Sequence, residues 1–207
     1  MLDKLVDLVK SLAGDAVVNN PAVPNEHNND VIAEATNTVA GGLQNLAAGG
    51  GLQNILSLFG GGAGQPQTSQ GLMNNPTVNM MIGNLIGKLT TKFGMNTNQA
   101  SGVAGSLIPS VLSGLINKTN DPNNSDFTLD GLLHSLTGGQ STQVAQQQQA
   151  AGNTGFSFQN LIQQFTGGGS GGGGGLMNIV SQIAGGAQNQ QKQNGGGGLL
   201  NIIKGLL

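Results

Sequence analysis

Hydrophobic positions in this chain recur at three- and four-residue steps, in packets separated by glycine and asparagine. That period places each packet on one face of a helix. The strongest run is Val78, Met81, Ile82, Leu85, Ile86, Leu89 and Phe93. Asn75 is placed to cap it, and Pro76 takes the first helical position, where its missing N–H costs nothing. Lys88 and Lys92 complement the helix dipole in the last two turns, and Gly94 ends the run. A second helical pattern extends from about Thr97 to Asn117, and a third from about Thr128 to Thr137. Residues 75–139 are therefore expected to form a three-helix module with its own core.

An earlier stretch, residues 1–62, has the same order. Leu2, Leu5, Val6, Val9 and Leu12 form one face of a first helix, which Gly14 is expected to end in a left-handed cap. After Pro21 and Pro24, Asn29 or Asp30 is expected to cap a helix with Val31, Ile32, Ala35, Val39 and Leu43 turned inward and a weak point at Gly41–Gly42. Leu52, Ile55, Leu56 and Phe59 make a third, short helix before Gly60–Gly61–Gly62. The two stretches match block by block. Leu2, Leu5, Val6, Val9 and Gly14 align with Ile82, Leu85, Ile86, Leu89 and Gly94 at an offset of 80. Val31, Ala35, Val39, Gly42 and Leu43 align with Val103, Leu107, Val111, Gly114 and Leu115 at 72. Leu52, Ile55, Leu56 and Gly61 align with Leu129, Leu132, Leu133 and Gly138 at 77. Three blocks in one order, with length changes between them, point to an internal duplication. Residues 63–74 are read as the linker.

Beyond Gly139 the pattern weakens. Residues 140–155 are Gln-rich and read as a second linker. Residues 156–207 form a Gly-rich tail with three short apolar packets, 156–165, 176–184 and 199–207. Each repeats a leucine or phenylalanine, any residue, an asparagine and two branched aliphatics, as in Phe158–Ile162, Leu176–Val180 and Leu199–Ile203. Isolated helices this short are marginal in water. The packets are expected to dock through Phe158, Leu161, Ile162, Phe165, Ile179, Ile183, Ile202 and Leu206.

Composition narrows the function classes. Of 207 residues, 37 are Gly and 8% are charged, and there is no Arg, Trp, Tyr or Cys. A net charge of -2 with seven dispersed lysines gives no electrostatic footprint for nucleic acid. Without cysteine there are no disulfides and no thiolate metal sites. Asp3 and Asp7 interrupt the N-terminal apolar run, so it does not read as a signal peptide, and no uninterrupted apolar stretch has the length of a membrane span. The expected compartment is the cytoplasm.

Catalytic chemistry has little to work with. His27 and His134 are the two histidines, and neither lies in a nucleophile motif; no G-x-S-x-G elbow occurs. Glu26, His27 and Asp30 are close in sequence but read as a solvated loop rather than as metal ligands. Asp121, Asn123, Ser125 and Asp126 resemble a calcium loop that lacks its turn glycine, with Leu132 where the bidentate acid belongs, so helix capping is the better reading. The glycine runs are not followed by G-K-[ST] and form no phosphate loop. No catalytic, cofactor or metal residues are assigned, and no cofactor is expected.

The second helix of the 75–139 module has a more informative feature. Gly102, Ser106, Ser110 and Gly114 fall four residues apart and form a small-residue ridge that permits close helix approach. Beside it runs an apolar face, from Val103 to Leu115 and from Ile108 to Ile116, that is wide for one helix of three. Pro109 is expected to kink this helix.

The sequence over 76–139 resembles the YidB-like family of small bacterial helical proteins. The resemblance is carried by Phe93-Gly94-Met95, Gln99-Ala100, Leu107 to Leu115, Asp121-Pro122 and Gly131 to Leu136. It implies a compact all-helical domain and no established activity. The Asn and Gln richness and the second copy depart from the family's single-domain pattern.

Together these readings predict an all-α protein of two three-helix modules and a Gly-rich tail of short amphipathic helices. The expected role is non-enzymatic: a structural or scaffolding protein that associates with itself as a homo-oligomer through low-charge helical faces. The alternative is a peripheral protein whose short helices lie on a membrane surface. Only Lys192 and Lys204 in the tail would attract anionic lipid.

Overall fold

The computed structural model describes residues 2–49, 51–60, 68–121, 123–124, 127–153, 155–158, 160–161 and 173–194. The fold is all-α, with no strand among the described residues. The helices are α1 (Leu2–Leu12), α2 (Asn28–Ala48), α3 (Leu52–Gly60), the single-turn α4 (Ser69–Leu72), α5 (Pro76–Phe93), α6 (Thr97–Asn120), α7 (Leu129–Leu136), α8 (Gln140–Ala150) and α9 (Gly173–Asn194).

Local chemistry sets several of these limits. The Asn75 side chain accepts from the Thr77 N–H at 2.9 Å, with Pro76 next in line. Gly94 closes α5 in the left-handed region at φ 63°, a conformation with little cost for glycine. Thr128 caps α7 by accepting from Gly131 at 3.1 Å. Gly14 does not take the expected left-handed cap. The chain instead winds on through a π-helical turn, Gly14–Val18, in which Val17 and Val18 both donate to the Ala13 carbonyl. Continued winding buries Val17 and Ala13 completely, which a left-handed exit at Gly14 would forgo. α2 starts at Asn28, so Asn29 and Asp30 lie inside it, not at the cap, and it runs through Gly41–Gly42. α6 likewise continues through Pro109.

The chain divides into two compact units, and each draws on both halves of the sequence. One consists of Leu2–Gly42 and Gln67–Asn117, the other of Leu43–Pro66 and Lys118–Gly195. The modules expected at 1–62 and 75–139 therefore each contribute helices to both units.

In the first unit, α1 buries Leu5, Val6 and Val9, and α5 buries Val78, Met81, Leu85 and Leu89. α2 and α6 are buried over most of their circumference. Val31, Ile32, Ala33, Ala35 and Val39 of α2 are almost fully buried, as are Val103, Ala104, Leu107, Ile108, Val111 and Leu112 of α6. A helix apolar on most sides needs neighbours on most sides.

In the second unit, α8 packs against α7 and α9, and α9 also packs against α3. Residues 140–155, read as a linker, instead hold α8. Gln and Ala favour helix, and Ser141 and Val144 give α8 a buried face. The middle tail packet is likewise not a short helix ending at Ala184, because α9 continues to Asn194. Gly185 and Gly186 are accommodated within it, and Ala187 beyond them is fully buried.

Candidate functional site

The ridge on α6 has two different ends. At Gly114, a Cβ atom would stand 2.6 Å from Leu12 Cδ1 and 3.6 Å from Leu8 Cδ1, so the missing side chain is what lets α1 lie close. Ser110 is half-buried. Gly102 and Ser106 are exposed, and a Cβ at Gly102 would meet nothing within 4 Å. The C-terminal end of the ridge is thus an internal packing surface, and its N-terminal end faces solvent.

The outer face of α5 continues this character. Gly83 and Gly87 are exposed with no atom within 4 Å of a built Cβ, and Met80 between the same turns is 66% exposed. Asn79, Asn84 and Thr91 are also exposed.

Of the tail residues expected to dock, Phe158, Leu161, Ile179 and Ile183 are all buried, within the second unit. The Phe158 amide donates to Asp130 Oδ1 at 3.1 Å, and Phe156 meets the Phe158 ring edge-on at 5.4 Å. Gln188 of α9 donates to the Ala48 carbonyl at 3.0 Å. Ile162, Phe165, Ile202 and Leu206 lie outside the described residues.

The electrostatic centre of the first unit is a residue that periodicity passed over. Glu34 lies on α2 with its side chain 3% exposed, and Lys88 Nζ of α5 approaches Oε1 at 2.8 Å. Lys92 Nζ approaches Oε2 at 2.7 Å. Lys88 also donates to Thr38 Oγ1 at 3.2 Å. Burial on its own would raise the Glu34 pKa. Hydrogen bonds and charge from both ammonium groups outweigh it and hold the carboxyl below its ordinary value. The available signal was an acid set between the apolar residues Val31, Ile32, Ala33 and Ala35 of α2, and two lysines one turn apart on another helix.

The residues weighed for chemistry take structural positions. His27 stacks at a tilt on Phe93, with ring centroids 5.5 Å apart, and its Nε2 is 3.7 Å from Glu26 Oε1. His134 Nδ1 shares a 2.7 Å hydrogen bond with Thr142 Oγ1, which ties α7 to α8. Asp121 accepts from the Asn123 amide at 2.9 Å in a local turn, while Ser125 and Asp126 lie outside the described residues. Among the described residues, no group of three or more His, Cys, Asp or Glu is placed to hold a metal ion.

One described helix, α6, is long and apolar enough to cross a membrane, and 56% of its most apolar window is buried inside the protein. No family model, curated protein or solved structure matches the chain.

Proposed function

We propose that this chain is a non-enzymatic structural protein that associates with itself through uncharged helical faces. The observation that supports this most is the outer surface of α5 and the start of α6. On α5, Gly83 and Gly87 are open to solvent along with Met80, and at the start of α6 Gly102 is open as well. Small side chains allow a second helix to approach closely. Lys88 and Lys92, the two charges on α5, are engaged by Glu34, so little like-charge repulsion opposes contact. The YidB-like resemblance of residues 76–139 belongs to the same proposal, as do a cytoplasmic location and the absence of a nucleic-acid partner.

Sedimentation velocity across a wide range of protein concentration, without lipid, tests it. A discrete species larger than the monomer is expected to grow with concentration. Gly87→Glu is expected to shrink that species without lowering the melting temperature, because a Cβ at this position would meet nothing within 4 Å. A monomer at every concentration counts against the proposal. The membrane-surface alternative draws on the exposed apolar side chains Val18, Met73 and Met80. It requires that the protein float with anionic liposomes.

A further inference from the structure

A further inference concerns a route to self-association that does not use the exposed face of α5. The sequence repeats α1–α2–α3 as α5–α6–α7, and described contacts cross between the repeats in both directions. In the first unit, α1 reaches the other half's α6, where Gly114 makes room for Leu12. In return, α5 reaches the first half's α2, through the Glu34 ion pairs and through Gly42, where a Cβ would stand 2.5 Å from Met81 Cε.

The second unit repeats the exchange. Gln44 of α2 donates to the Leu136 carbonyl of α7 at 3.3 Å. Asn120 of α6 donates to the Phe59 carbonyl of α3 at 2.7 Å. Phe59 and Leu136 occupy equivalent places, 77 residues apart, the same offset that aligns the sequences of α3 and α7. Each half thus meets the second helix of the other in both units.

We propose that the two halves are each other's docking partners, and that a second copy of the chain can supply either one. In the exchanged pair, residues 2–60 of one copy pack with 69–194 of the other, and the reverse. Every contact is one the single chain already makes, so no new surface is required. A short connection gives the halves of one chain a mutual effective concentration of order mM, so dilute chains close on themselves. Chains that fold together at high concentration close on each other. Separation then requires opening both buried cores, which makes the exchanged form persistent.

Because the chain has no cysteine, single introduced cysteines report contact without background. Full-length Leu12→Cys and Gly114→Cys, carrying different tags, are denatured together at high concentration, refolded under reductant, separated by size and then oxidised. The dimer fraction is expected to contain a mixed disulfide several-fold above that formed by Met80→Cys with Gly114→Cys, Met80 being an exposed control. Gly42→Cys with Met81→Cys repeats the measurement at an independent contact, so misfolding of one glycine variant does not decide the result. A dimer lacking mixed disulfide in both pairs overturns the exchange and leaves self-association standing. A monomer under all conditions overturns both.

Discussion

At the scale of single residues, the Glu34 cluster sets the pH response. Its carboxyl has a folded-state pKa below the ordinary 4.5, so its contribution is fully present above about that pH and is lost as pH falls through the folded value. Glu34→Gln leaves two ammonium groups without their acid. Breaking a fully buried pair costs about 3–5 kcal/mol. Lys92 is 45% exposed and regains water, so a loss of roughly 1–3 kcal/mol at pH 7 is expected. Chemical denaturation of both proteins between pH 7 and 2 checks this: the gap between them should close in acid, and a constant gap would show that the carboxylate charge is not what stabilises. Two adjacent glycines give a second test. A Cβ at Gly186 would run into the Gln140 side chain and come within 2.9 Å of the backbone Thr137 oxygen, whereas one at Gly185 meets nothing within 4 Å. Gly186→Ala should therefore destabilise by about 1–3 kcal/mol, as overpacking does. Gly185→Ala should stabilise by up to about 1 kcal/mol through helix propensity. Thermal melts that rank the two in the opposite order would contradict the packing of α9 on α8.

At the scale of helices, the pattern of apolar residues was legible and the identity of each helix's neighbour was not. Periodicity marks the face that Val78, Met81, Leu85 and Leu89 bury, because it is a property of one helix. It carries no information about which distant segment covers that face. The wide face of α6 signalled a need for extra cover, and the structure places Leu8 and Leu12 of α1 against it at Gly114. Low complexity misled in a different way. Gln140–Ala150 has the composition of a linker, yet one buried valine and one buried serine suffice to seat it as α8 once α7 and α9 are there to receive it. The same tertiary support carries α9 through Gly185 and Gly186, where propensity alone would stop it. A chain truncated after Gly155 loses α9 together with Phe158 and Leu161, and so uncovers faces of α8 and α3. Hydrogen exchange in α8 of that truncated chain is expected to rise to the level of a free peptide. Retained protection there would mean that α9 is dispensable to the second unit.

At the scale of the whole molecule, the question is which part of the chain can fold unaided. Residues 75–139 contain complete caps, stops and apolar faces, which on sequence grounds makes them a self-sufficient domain. The packing assigns their cover elsewhere. Removing residues 1–66 takes away Leu8 and Leu12 from Gly114, Glu34 from the two lysines and Gln44 from the Leu136 carbonyl. What remains is a wide apolar face on α6 and two lysines of α5 without their buried acid. Uncovering several large aliphatic side chains at about 1.5–3 kcal/mol each is comparable with the whole stability of a domain this small, at roughly 0.05–0.15 kcal/mol per residue. The 75–139 fragment is therefore expected to show partial helicity by circular dichroism and no cooperative melt. Adding the separate 1–66 peptide should restore a cooperative melt and the helicity of α1, α2, α5 and α6, since it returns the contacts of the first unit in trans. Cooperative melting of 75–139 alone would show that α5, α6 and α7 close a core without the first half. The packing of the two halves would then be an association of finished modules, not a shared fold.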